Sequence, residues 1–179
     1  MQDYRREKVR RALIIHGWES NPSEHWYLEE KTKLEELGYV VEVPEMPNSA
    51  SPVLSEWLEV VEKFEPDGES ILIGHSLGVP TILRFLEKND VKIDKAILIA
   101  GFARELGHDV TKNFVDKPFD WAKIKKGANE FIVINQKNDP WVKPEYGKEI
   151  ADSIDGKFIL VEGRNHFDIM DLELINDKL

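Results

Sequence analysis

The stretch ILIGHSLGVPTILRFLEK, Ile71 to Lys88, begins as a short apolar run, passes through Gly74-His75-Ser76-Leu77-Gly78, and then becomes amphipathic with helical spacing. A strand pattern thus turns into a helix pattern around a serine set between two glycines. A nucleophile that must project beyond a sheet edge needs a sharp strand-to-helix turn, with a strained backbone at its centre and small residues two positions away on either side. Gly74 and Gly78 meet that steric demand. Leu77 opens the helix, so its N–H has no partner within the helix, and the helix dipole favours negative charge beside it. Pro80 falls in the first turn, where a missing N–H costs little.

Strand-like and helix-like runs alternate on both sides of this turn. Strands are expected over Ala12–Ile15, Tyr39–Val43, Ser70–Ile73, Lys95–Ala100, Glu130–Ile134 and Lys157–Val161. Helices are expected over Tyr27–Leu37, with Leu28, Leu34 and Leu37 as its apolar positions, and over Val53–Phe64, Leu77–Glu87, Pro144–Ile154 and Asp168–Lys178. The strands are nearly continuous in Ile, Val and Leu, as suits a parallel sheet buried on both faces. Strand–helix alternation with right-handed crossovers predicts a three-layer α/β/α fold on an open, doubly wound, mostly parallel sheet of about six strands. At 179 residues the chain is expected to be a single domain, 1–179, with a short irregular insertion around 101–128.

Bulk properties narrow the function. A formal net charge of −10 disfavours nucleic acid and anionic membrane surfaces as partners. Cysteine is absent, which removes disulfides, thiolate nucleophiles and cysteine zinc sites. The polar, basic MQDYRREKVRR at the start is followed only by ALII, too short for a signal h-region or a membrane span, so the cytoplasm is the expected compartment.

In open α/β sheets ligands bind beyond the carboxyl ends of the strands, so chemistry is sought there. Ser76 needs a base. Of five histidines, His75 lies within the turn and should point away; His16 is expected to support the loops; His25 is either an exposed cap-region residue or part of the cleft mouth; and His108 falls in the irregular segment. His166, in VEGRNHFDIM, follows the last strand and shares the sheet edge with Ser76. The acid that orients it is Asp139 in INQKNDPWV, although Asn-Asp-Pro is also ordinary turn chemistry and Asp168 is a rival that suits a helix cap. The oxyanion hole is expected from the N–H groups of Leu77 and of Trp18, which follows His16-Gly17. The order Ser76, Asp139, His166, each after a separate strand, is that of α/β-hydrolases.

The segments LIIHGW, LIGHSLG, NDPWV and GRNHF, in that order, make nearly the whole chain resemble the retinoblastoma-binding protein nine family of small serine hydrolases. The resemblance implies a minimal six-stranded α/β-hydrolase without metal or organic cofactor, with Ser76 as nucleophile, Asp139 as acid and His166 as base. Many relatives carry a small residue near position 135 and a second acid at 138, where this chain has Asn135 and Asn138, so the polarity beside the acid differs. The expected reaction is hydrolysis of a carboxylic ester, thioester or activated amide of small to medium acyl size through an acyl-enzyme on Ser76. The partner is then a small-molecule acyl substrate. Trp18 and Trp141 are candidates for binding it, and Phe102, Phe114, Phe119, Trp121 and Phe167 are further aromatic candidates, although aromatics at such positions more often serve the core or anchor loops. Two alternatives share the scaffold: a non-catalytic binding protein, or an acyltransferase or lyase using the same site.

Overall fold

The computed structural model describes residues 9–167. Six strands form one sheet: β1 (Arg11–Ile15), β2 (Val40–Glu42), β3 (Ser70–His75), β4 (Ile93–Ile99), β5 (Ala128–Gln136) and β6 (Lys157–Val161), in the order β2-β1-β3-β4-β5-β6. Every neighbouring pair is parallel. The helices are α1 (Tyr27–Glu36), α2 (Leu54–Phe64), α3 (Gly78–Lys88), the single turn α4 (Trp121–Ile124) and α5 (Pro144–Ile154), with a 3-10 segment at Asp109–Phe114. The architecture is the expected minimal α/β-hydrolase fold. The helix expected over Asp168–Lys178, and Asp168 itself, lie outside the described residues. β3 runs two residues past the expected Ile73, because Gly74 and His75 continue the parallel ladder opposite Leu98 and Ile99. No helix among the described residues is long and apolar enough to cross a membrane.

Alternation along the strands feeds two cores. Leu13, Ile15, Leu72, Leu98 and Val133 face one side, where Trp57, Leu58 and Val61 of α2, Ile82, Leu83 and Leu86 of α3, and Ile150 and Ile154 of α5 cover them. Ala12, Ile14, Ile71, Ile73, Ile97 and Ile134 face the other, against Trp26, Tyr27 and Leu34. Burial of each of these large side chains contributes about 1.5–3 kcal/mol.

Helix α1 corrects the sequence reading. Of its three expected apolar positions only Leu34 is buried; Leu28 is 48% exposed and Leu37, just beyond the helix, 46% exposed. The helix instead buries Tyr27, Glu30 and Leu34. Trp26 and Tyr27 carry more apolar surface than Leu28, so the helix turns to bury them. Glu30, three residues after Tyr27 and four after Trp26, follows them inward. Both its carboxyl oxygens are buried and have no hydrogen-bond partner among the described residues. Loss of hydration pushes its pKa up to about 7, against the opposing pull of Lys33 and with a small further push from Glu29.

The strand order has a functional consequence. The chain leaves β1 for β2 on one side and returns to β3 on the other, so the topological switch point lies between the carboxyl ends of β1 and β3. There α3 crosses close over β1: a Cβ on Gly78 would stand 2.4 Å from the Ile15 carbonyl oxygen, and one on Gly74 would stand 2.7 Å from the backbone of Gly78. On the far side, buried Arg84 of α3 anchors the 3-10 segment and the turn after it. Its guanidinium donates to the Phe114 carbonyl (3.0 Å) and the Glu87 carboxylate (2.7 Å), and it lies 3.6 Å above the Phe119 ring.

Two outcomes are expected. Gly78→Ala forces backbone against backbone and should lower unfolding free energy by about 1–3 kcal/mol in urea titration; unchanged stability would contradict the close crossing. Glu30 costs less buried when protonated than when charged, so the parent should lose stability as pH rises from the unfolded carboxyl value near 4.5 to about 7. The loss should total about 3 kcal/mol above that range. Glu30→Gln should remove this part of the pH slope and be the more stable protein at pH 8, as read by urea unfolding at pH 5 and pH 8. Equal slopes for the two proteins would mean that the carboxyl is hydrated.

Candidate active site

Ser76 sits between β3 and α3 with a left-handed backbone, φ +52°. That conformation costs a non-glycine residue of order 1 kcal/mol and persists only where its surroundings impose it. Here the Ser76 N–H donates to the Ile99 carbonyl at 2.9 Å, and the Ser76 carbonyl accepts from the Val79 N–H at 3.0 Å. The serine is therefore held from β4 on one side and from the first turn of α3 on the other.

The loop after β1 passes directly alongside. A Cβ on Gly17 would stand 3.2 Å from the Ser76 Cβ and 3.8 Å from its Oγ. His16 secures this loop from below. Its Nε2 accepts from the Met46 N–H at 2.9 Å, so Nδ1 carries the proton and donates to the Gly17 carbonyl at 2.9 Å. Burial pushes the His16 pKa down, in keeping with this neutral ring. The Trp18 indole N–H donates to the Ala50 carbonyl at 3.2 Å and the Glu19 N–H to the Ser49 carbonyl at 2.9 Å. The main-chain N–H groups of Trp18 and Leu77 have no backbone acceptor among the described residues.

Asp139 and His166 meet across the sheet edge. The His166 Nδ1–H donates to Asp139 Oδ2 at 2.6 Å, with the carboxylate wholly buried and the imidazole side chain 14% exposed. The other carboxylate oxygen, Oδ1, accepts from the Trp141 and Val142 N–H groups at 2.8 and 2.9 Å. The turn reading of Asn-Asp-Pro and the acid reading are thus compatible, one oxygen serving each. The β5–β6 ladder continues into the loops that carry the pair: Lys137 N–H donates to the Val161 carbonyl (2.9 Å) and Asn138 N–H to the Gly163 carbonyl (3.0 Å).

Ser76, Leu77 and His166 line one cavity of about 210 Å³, together with Trp18 and Trp141. No hydrogen bond joins the Ser76 hydroxyl to His166 among the described residues; such contacts are often long without substrate and tighten on binding. Of the aromatic candidates, Trp18, Phe102 and Trp141 line the cavity, and Trp141 is two-thirds exposed at its mouth. Four others do not: Phe114 packs on Trp57, Phe119 stacks on Trp121, and Phe167 is buried in the opposite core. Asn135 is fully buried beneath α5, where a Cβ on Gly147 would collide with its Oδ1. His108 is exposed and lies against Trp18 in a tilted arrangement, their ring centroids 5.2 Å apart.

Sequence reasoning missed Gln136. Its Oε1 accepts from the N–H groups of Asn165 (3.1 Å) and Phe167 (3.3 Å), the residues flanking His166. Its position at the end of β5 was the available signal, but a glutamine there carries no mark of its partner loop. Among the described residues no group of three His, Asp or Glu side chains could hold a metal ion.

Comparison with known proteins identifies the family of the chain. The family model described as serine hydrolase matches residues 12–171. The chain is 32% identical over 164 residues to the putative hydrolase YdeN of Bacillus subtilis, covering 89% of this chain and 86% of that one. It is 28% identical over 146 residues to the serine hydrolase RBBP9 of Rattus norvegicus, covering 79% and 77%. The crystal structure of the ydeN gene product of B. subtilis superposes with a TM-score of 0.89 at 28% identity, covering 94% of this chain and 98% of that one. With its six-stranded parallel sheet and its match along nearly the full chain, the protein belongs to the serine hydrolase family that includes YdeN and RBBP9.

Proposed function

We propose that this hydrolase cleaves a carboxylic ester, thioester or activated amide through an acyl-enzyme on Ser76. The observation that carries the reading is the 2.6 Å bond from His166 Nδ1 to Asp139. With the proton of the neutral ring on Nδ1, Nε2 has its lone pair available, on a residue that lines the same cavity as Ser76.

In this mechanism the Ser76 Oγ attacks the substrate carbonyl carbon while His166 Nε2 takes the hydroxyl proton. The N–H groups of Trp18 and Leu77 stabilise the oxyanion. Collapse expels the alcohol, thiol or amine, which receives the proton from Nε2. Water then adds to the acyl-enzyme with His166 again as base, and the carboxylic acid leaves with Ser76 restored. Asp139 holds the imidazole in one tautomer and stabilises it when charged. The cavity of about 210 Å³ is smaller than the range of about 300–1,000 Å³ usual for drug-sized ligands. Small to medium acyl groups are accordingly assigned to it, resting on Trp18 and Trp141.

A fluorophosphonate probe should label Ser76 in the parent and fail in Ser76→Ala and His166→Ala. With p-nitrophenyl esters of increasing chain length, turnover should peak at short acyl groups. It should fall by up to on the order of a million-fold in Ser76→Ala, and less in Asp139→Asn. Folded parent protein that takes no label, or a Ser76→Ala variant as active as the parent, would end the proposal.

A further inference from the structure

His75 precedes the serine, points away from the cavity and is buried, yet both its ring nitrogens are engaged. Nε2 lies 2.8 Å from the main-chain carbonyl oxygen of His166, and Nδ1 lies 2.6 Å from the Tyr27 hydroxyl. The carbonyl can only accept, so Nε2 carries the proton. Nδ1 of the neutral ring is then an acceptor, and the Tyr27 hydroxyl donates to it. The ring also lies against the base, with centroids 5.0 Å apart.

This contact falls where the backbone needs support. His166 and Phe167 are consecutive non-glycine residues in the left-handed region, φ +53° and +58°. Such a pair stays in place only if neighbouring groups hold it. Gln136 holds the amides on either side of His166, and His75 holds its carbonyl. The peptide units around the base are therefore gripped from β5 and from β3, and the grip from β3 is one residue from the nucleophile.

We propose that His75 is a positioning residue for His166: its Nε2–H bond to the His166 carbonyl, with Tyr27 fixing the tautomer, sets where the imidazole of the base stands relative to Ser76. The nucleophile and the base are then referenced to a single strand end. A neutral ring at 75 is also required electrostatically. The imidazolium that forms on His166 during turnover would be opposed by a second positive charge 5.0 Å away. Burial, followed by the proximity of His166, pushes the His75 pKa well down, which keeps that charge absent.

The proposal rests on the esterase reading for its kinetic consequence, so the test has an arm that does not. Glutamine in place of His75 can reproduce the Nε2 donor but not the Nδ1 acceptor; asparagine can reproduce the Nδ1 side but not the donor to His166; phenylalanine reproduces neither. Turnover of a p-nitrophenyl ester is measured per site titrated with fluorophosphonate, so that loss of folded protein does not count. His75→Phe and His75→Asn should lower kcat about 10- to 100-fold with KM little changed, and His75→Gln should recover most of it. Phenylalanine or asparagine variants that turn over at the parent rate per titrated site would overturn the assignment. So would a glutamine variant no better than the asparagine one. Should the variants not fold, 15N NMR of the parent decides: His75 should show the Nε2–H tautomer with a slowly exchanging proton, shifting toward a tautomer mixture in Tyr27→Phe. An Nδ1–H or rapidly exchanging ring in the parent refutes the proposal. A parent that takes no fluorophosphonate label refutes the esterase reading, while leaving the His75 hydrogen bonds to be judged by NMR.

Discussion

Ser76 occupies a left-handed backbone at the point where a fully buried strand becomes a helix, and the rest of the site is arranged around that constraint. The strain is sustained by two main-chain hydrogen bonds and by a helix start packed so closely on β1 that no side chain fits between them. Because α3 crosses at Gly78, its first turn lies beside the loop that follows β1. Leu77 and Trp18 therefore come from elements separated by some sixty residues of chain, yet both line the same cavity as Ser76. The residue that opens the sharp turn and the residue that lets the neighbouring loop approach are both glycines for the same steric reason.

Asp139 and His166 are supported differently. Neither occupies a helix or a strand; each sits in a loop, and the two loops are laced together by main-chain hydrogen bonds that prolong the β5–β6 ladder. Asp139 satisfies its own turn with one oxygen and His166 with the other. Gln136 then fastens the His166 loop from β5. Loops are ordinarily the most variable part of such a fold. Here their geometry is set by the parallel sheet through backbone bonds, so the pair is held without a rigid element of its own.

Much of this was legible in advance because its physical signals are local. Continuous Ile/Val/Leu runs mark strands buried on both faces, and the Gly-x-Ser-x-Gly turn carries its steric requirement in five consecutive residues. Where the reading went astray, competing local signals had comparable weight. In α1 the leucine spacing pointed to Leu28 and Leu37, but Trp26 and Tyr27 outweigh them in apolar area and rotate the helix, carrying Glu30 into the core. The scattered aromatics of residues 101–128 looked equivalent in sequence. Only Phe102 among them reaches the cavity, while Phe119 is occupied beneath Arg84 and Phe114 against Trp57.

The sequence by itself determined the element order, the parallel sheet and the segments in which Ser76, Asp139 and His166 lie, since each depends on patterns a few residues long. Tertiary structure alone decided the strand order that puts the switch point between β1 and β3, and with it how closely the Gly17 loop approaches Ser76. It also decided the partners of His16, His75 and Gln136. A hydrogen bond from a ring nitrogen to a carbonyl ninety-one residues away leaves no trace in local spacing. Such contacts are fixed by how the layers pack, which is a property of the whole sheet and its helices.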